Sequence, residues 1–249
     1  MRGICAAVLC FCVSFSAWAD SRNTQESYTW REPLLFGSLM AGTLVLVKED
    51  SVIQRGVPKF LDKGFSRRLD LDDLGNKNTF FEQLGGPVGV LEVSGAFYLW
   101  GTLTKSEGIK NVALLAPEAY VVNGILVLGI KEVVGRSRPV SVRNYDSAHF
   151  RPFSGQASFP SGHTSTAFAV ATVVSGQCQS PWVSAVGYGL ASAVGAGRVI
   201  QNQHWTSDVL AGAILGYGSG KLVLNWNAKH NWSLGLSNDG KGFLISRMF

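Results

Sequence analysis

Charge is scarce in this sequence: 16% of its 249 residues are Asp, Glu, Lys or Arg, whereas 46% are hydrophobic. A chain this apolar does not stay unfolded in water, so disorder is excluded, and its length is enough to bury one core of ordinary domain size. No Lys/Arg-rich run is present. The +5 net charge is therefore spread along the chain, which argues against a nucleic-acid arm and for an anionic substrate. Cysteine is scarce as well. Cys5, Cys10 and Cys12 crowd the first twelve residues and leave Cys178 alone in the remainder, so a chain that loses its N-terminus on export has no internal disulfide and depends on packing. No internal repeat, low-complexity tract or Pro/Gly/Ser linker divides the sequence.

What is present falls into four stretches. Arg2, the apolar run Ile4 to Phe15, and Ala17-Trp18-Ala19 ahead of Asp20 predict a secretory signal peptide over residues 1–19. Its apolar run is shorter than the roughly 20 residues of a spanning helix. Residues 20–86 read as an N-terminal helical cover: an uncharged run from Leu34 to Val47 suits a packed helix, and Lys48 to Gly86 mixes charges with Phe and Leu as short amphipathic helices do. Residues 87–226 read as the core bundle, with helices predicted over Val88–Thr104, Asn111–Val134, Thr164–Ser175, Trp182–Gly197 and Ser207–Leu224, separated by Gly-, Pro- and Ser-containing turns. Residues 227–249 alternate apolar and polar around Asn238-Asp239-Gly240, as a β-hairpin does. The expected fold is an all-α bundle with a small C-terminal hairpin.

Three clusters carry chemistry. Lys131 and Arg138 are seven residues apart, a spacing that sets both on one helix face near its C-terminal end, where they can grip one anion. Pro160-Ser161-Gly162-His163 falls at a predicted helix start, where free N–H groups and the positive end of the dipole favour a phosphate and Gly162 permits its close approach. Arg198 is followed by His204 and Asp208, four apart at the next helix start, so the carboxylate can hold the imidazole in one tautomer. Alternating helix directions bring all three clusters to one end of a bundle. Three permanent cations, two histidines, one carboxylate and a helix N-terminus in one pocket suit phosphoryl transfer without a metal. Arg136, Arg143 and Arg151 read as loop charges, and Trp205 as a pocket wall or core residue.

These blocks resemble the signature of the type 2 phosphatidic acid phosphatase superfamily, which includes bacterial class A acid phosphatases, lipid phosphate phosphatases and vanadium haloperoxidases. The family pattern is Lys, six residues, Arg-Pro; then Pro-Ser-Gly-His; then Ser-Arg, five residues, His, three residues, Asp. Lys131 to Arg138-Pro139, Pro160 to His163, and Arg198 to His204 to Asp208 reproduce it, with 20 residues between the first two blocks and 33 between His163 and Gly197. Gly197 stands where the family has Ser, which removes one possible phosphate hydrogen bond. The resemblance covers about Val88 to Leu224 and implies a phosphatase that uses no metal and no cofactor. It implies His204 as nucleophile, Asp208 as its orienting partner and His163 as the group that protonates the leaving oxygen and then activates water. Lys131, Arg138, Ser161, Gly162 and Arg198 would hold the phosphoryl oxygens.

Location and substrate stay open at this level. Thr164 to Gly197 holds no charge but many hydroxyls and amides, a polar load that favours a soluble or interface-bound bundle, and Glu92 and Glu118 inside predicted helices point the same way. After signal cleavage, six spans from Leu34 would put the site in the cytoplasm and five from Val88 in the periplasm; a periplasmic site in a soluble or membrane-associated protein is the expectation. The expected substrate is a phosphate monoester or pyrophosphate of an envelope lipid such as phosphatidate or lipid A. The alternatives are a non-specific acid phosphatase on soluble esters, a vanadate-dependent haloperoxidase, for which the chain is short, and a silent anion-binding component. No nucleic acid partner is expected.

Overall fold

Residues 31–60, 80–230, 232–236 and 243–247 are described by a computed structural model; the expected signal peptide lies outside them. Among the described residues eight α-helices follow one another: α1 (Arg31–Val45), α2 (Val47–Phe60), α3 (Phe80–Leu84), α4 (Pro87–Thr104), α5 (Glu107–Val134), α6 (Gly162–Cys178), α7 (Pro181–Ile200) and α8 (Thr206–His230). Local chemistry sets their ends. Pro87 and Pro181 open α4 and α7, the Ser106 side chain accepts from the Ile109 N–H at the start of α5, and Gly135 closes α5 in the left-handed conformation with its N–H on the Lys131 carbonyl at 2.8 Å. The five helices expected in the second half are all present. The largest displacements are α8, which runs six residues past Leu224, and α5, which starts four residues before Asn111. Two strands, β1 (Trp232–Leu236) and β2 (Phe243–Arg247), pair antiparallel from Trp232↔Arg247 to Leu236↔Phe243. The Asn238-Asp239-Gly240 turn on which the hairpin reading rested lies outside the described residues.

The centre of the bundle is α6, which is buried on every side from Thr164 through Val174 and packs against α5, α7 and α8, while α4 lies along α5. A helix buried all round needs neighbours that come close. On the α8 side they do so through three glycines one turn apart: a Cβ at Gly212 would stand 2.6 Å from the Ser161 carbonyl oxygen, one at Gly216 2.0 Å from that of Ser165, and one at Gly220 2.7 Å from that of Ala169. Any side chain at these positions would push the helices apart.

Much of the polar load of this region faces inward. Ser165 and Ser219 both donate to the buried Asn123 side-chain oxygen, and Tyr188 donates to Thr172 at 3.2 Å. Apolar side chains take the outside instead: Leu91, Leu99, Leu103, Ile125, Leu128 and Val186 are exposed, Leu103 by 83%. Two helices, α5 and α7, are long and apolar enough to cross a membrane, and only 28% and 39% of their most apolar stretches are buried in the protein.

Candidate active site

The end of the bundle where α5 and α7 finish and α6 and α8 begin is covered by α2, α3 and the 135–161 loop. Lys131 sits in the last turn of α5 and donates to the Ala157 carbonyl. Arg138 does not share its helix face, as the seven-residue spacing suggested, because α5 stops at Val134 and Arg138 is extended at the start of a short 3-10 turn, Pro139–Ser141. The left-handed Gly135 turns the chain back instead, and Arg138 still arrives within electrostatic reach of Lys131. Its Nη1 donates to Gln203 Oε1 at 2.7 Å. Arg198, in the last turn of α7, donates through Nη1 to Gln201 Oε1 at 2.8 Å and Glu82 Oε1 at 3.1 Å.

Ser161 precedes the first residue of α6, and no side chain caps that helix start, so its first turn keeps N–H groups and a positive dipole end for an anion. The Ser161 hydroxyl is paired with that of Thr164 at 2.8 Å, and its backbone N–H donates to the Asp208 carbonyl at 3.0 Å, which ties the starts of α6 and α8 together. His163, in the first turn of α6, feels Arg198, His204, Arg138 and Lys131. Burial foremost, then these neighbours, lowers its pKa to about 4. The eight residues singled out in the sequence thus meet at one end of the bundle.

His204 lies in the short connection before α8 and is almost fully buried. Its Nδ1 stands 2.7 Å from the Ser158 carbonyl oxygen, whereas Asp208 Oδ2, the partner expected from the four-residue spacing, is 3.7 Å away. A carbonyl only accepts, so Nδ1 carries the hydrogen and Nε2 keeps its lone pair. Burial lowers the His204 pKa to about 4 despite the pull of Asp208, so the ring is neutral near pH 7. A neutral imidazole with Nε2 unprotonated is the form a nucleophile needs.

Asp208 is held by a network that sequence reading missed. Arg136, read as a loop charge, is fully buried: Nη1 pairs with Asp208 Oδ1 at 2.6 Å, Nη2 with Asp50 Oδ2 at 2.9 Å, and Nε with the Ser147 carbonyl at 3.0 Å. Its guanidinium lies 5.3 Å from the ring centroids of both Trp205 and Phe150. Asp208 Oδ2 further accepts from the Ser158 hydroxyl and, at 3.0 Å, from the Trp205 N–H. Asp50 accepts from the Ser207 N–H at 2.9 Å and from its hydroxyl, which is therefore spent here rather than on capping α8. Beside it Gln54 donates to the Val199 carbonyl at 2.9 Å and to Asn202 at 2.6 Å. Arg143 and Arg151 are exposed loop residues, and Trp205 is a core residue with Nε1–H on the Ser137 carbonyl at 2.9 Å.

From this end an apolar groove of about 410 Å³ runs down the bundle between α4, α6 and α7. Leu84, Ala167 and Val194 line it near the site, one turn from His163 and Arg198 respectively for the last two, and Trp100, Trp182 and Val183 line it at the far end. From Val194 to Val183 it spans about 16 Å of helix.

Residues 112–232 match the family model of the PAP2 superfamily. A lipid A 1-phosphatase of Porphyromonas gingivalis is 45% identical over 86 residues, 33% of this chain and 19% of that protein. A lipid A 1-phosphatase of Rhizobium etli is 34% identical over 102 residues, 39% of this chain and 42% of that protein, so the chain spans less than half the length of these curated relatives. The solved structure of a transmembrane PAP2 type phosphatidylglycerolphosphate phosphatase from Bacillus subtilis shares the fold, with a TM-score of 0.55 at 21% identity, over 79% of this chain and 94% of that one.

Proposed function

We propose that this chain, whose residues 112–232 match the family model of the PAP2 superfamily, is a lipid phosphatase that removes a phosphoryl group through His204. The observation that carries the reading is a continuity: a pocket of three cations and two histidines opens into an apolar groove within one helical turn. Lys131, Arg138 and Arg198 neutralise the phosphoryl oxygens, and the uncapped start of α6 at Gly162 adds N–H donors beside Ser161. His204 Nε2 attacks phosphorus, and the Ser158 carbonyl with Asp208 supports the positive charge that the ring gains. The P–O bond to the lipid breaks as His163 passes its proton to the leaving oxygen, leaving phosphohistidine.

Burial, with a cationic surround second to it, keeps His163 neutral in the pocket, and the charge of an arriving phosphate offsets the cations, so the substrate itself raises His163 towards its acid form. His163, having given up that proton, then takes one from the water that attacks phosphohistidine. Phosphate leaves and both histidines regain their starting state.

The groove favours a lipid over a small soluble ester, because about 16 Å of apolar wall has nothing to bind in the latter. The outward apolar faces of α5 and α7 fit a bundle set in a membrane, with the site at one surface. We place that surface in the periplasm, on the signal-peptide reading of residues 1–19. Lipid A phosphorylated at its 1-position heads the candidates, from the relatives' activity. The test is phosphate release by the purified chain, with chelator present, from a panel of lipid A, phosphatidate and phosphatidylglycerophosphate against a soluble aryl phosphate. Preference for a lipid, with an acid-labile phosphoryl label on the protein that His204→Ala lacks, supports the reading. Preference for the soluble ester would move it to a general acid phosphatase.

A further inference from the structure

Glu82 lies on α3, in a stretch where the sequence shows no motif, yet its carboxylate reaches Arg198 at the heart of the pocket. We propose that Glu82 is the resident anion of this pocket, holding Arg198 until a phosphoryl group exchanges with it there. The inference rests on the phosphatase reading above and concerns how that site admits its substrate.

Arg198 is 6% exposed, and a buried guanidinium needs an anion beside it. Glu82 supplies one with a poor fit. A single carboxylate oxygen meets Nη1, which is shared with Gln201, while Glu82 Oε2 and Arg198 Nε are both buried without a hydrogen-bond partner. A matched carboxylate–guanidinium pair would use both oxygens in a parallel fork. Leaving a buried donor and a buried acceptor unmade weakens the contact, so a better-fitting anion can displace it. A phosphoryl group is such an anion, with several oxygens to offer Nη1, Nε and the neighbouring cations Arg138 and Lys131, whose charges both act on this region.

Placement agrees with exchange. Glu82 sits three residues from Gly85, whose backbone rests directly on His163: a Cβ there would stand 2.7 Å from the His163 Cβ. Leu84, between them, lines the groove. The carboxylate therefore stands on Arg198 beside the end of the groove that Leu84 lines. The buried carboxylates Asp50 and Asp208, by contrast, are committed to Arg136.

The test is inorganic phosphate binding to the full chain in detergent, read as a thermal-shift titration and as competitive inhibition of turnover. Glu82→Gln keeps the shape and removes the charge, and is expected to bind phosphate roughly tenfold more tightly, as a pocket whose competent fraction is about one tenth would. Glu82→Asp, too short to reach Arg198 as well, is expected to move the same way by less. Damage to the fold does not produce tighter binding, so a gain in either variant supports exchange. Unchanged or weaker binding in both would overturn it and leave Glu82 as a group that positions Arg198. Failure of the unaltered chain to bind inorganic phosphate at all would overturn the exchange and the phosphatase reading together.

Discussion

Arg136 and Arg198 stand at the same end of the bundle, both buried, and differ in how completely they are used. Arg136 spends its donors on Asp50, Asp208, Ser207 and the Ser147 carbonyl and is flanked by two aromatic rings. Arg198 leaves Nε unmade and shares one Nη between two acceptors. A saturated cation fixes structure because any change loses bonds already formed, whereas an unsaturated one has capacity to give a ligand. The comparison separates the framework, which orients His204 through Asp208 and Ser158, from the pocket formed by Lys131, Arg138 and Arg198.

Four measurements put that division to the test. The largest effect belongs to His204→Ala, expected to lower kcat by roughly 10⁴-fold or more, with substrate protection against heat retained; activity within tenfold of the unaltered protein would remove His204 from the chemistry. Next comes Arg136→Met, which strands two buried carboxylates and is expected to cost about 3–5 kcal/mol of stability, seen as a lower midpoint in denaturant. If Arg136→Met keeps its midpoint and loses only phosphate affinity, Arg136 belongs to the pocket instead.

Acid provides the third. His163 and His204 sit near 4 in the fold against an ordinary 6.5. The unfolded chain then binds more protons between those values, so the histidines' contribution to stability falls as pH drops from about 6.5 to about 4 and changes no further below. The share of His204 is on the order of 3 kcal/mol. Denaturation midpoints across this window check it, and a flat profile would mean that neither histidine is held neutral.

The smallest effect is in the groove. A Cβ at Gly187 would meet the Ala171 Cβ at an ordinary 3.6 Å, so Gly187→Phe can fill the groove without shifting the helix. Its kcat/KM is expected to fall about tenfold more for a long-chain lipid than for a soluble ester, a change of about 1.4 kcal/mol. Equal losses on both substrates would detach the groove from lipid binding.

The helices of the second half were legible because apolar runs and turn residues are local signals, and the three motif blocks were legible because each fits within one helix terminus and its connection. Asp50, Gln54, Glu82 and Arg136 were not. Asp50 and Arg136 are 86 residues apart, and Glu82 and Arg198 are 116, so each looks like an ordinary surface charge until the fold joins it to its partner. Arg136 was further disguised by the helix-stopping Gly135 before it, which suggests an outward turn. In fact Arg136 bridges Phe150 in a short antiparallel contact that carries its side chain inward. The burial of the α6 hydroxyls was hidden for a related reason: composition counts them, whereas only the fold shows that Thr164, Ser165, Thr166 and Thr172 face its interior.

The three glycines along α8 have a bearing on how this protein can diversify. They weld α8 to one side of α6, and with it the distance between the two histidines, while the groove lies on the other side against α4 and α7. Under the proposed lipid phosphatase function, reactive chemistry and lipid choice would thus be borne by opposite flanks of a single helix. On that reading, residues facing the groove could be exchanged to suit another chain length without retuning the reacting groups, but a single methyl group on the α8 seam, where a Cβ would clash with the α6 backbone, would disturb the site for every substrate alike.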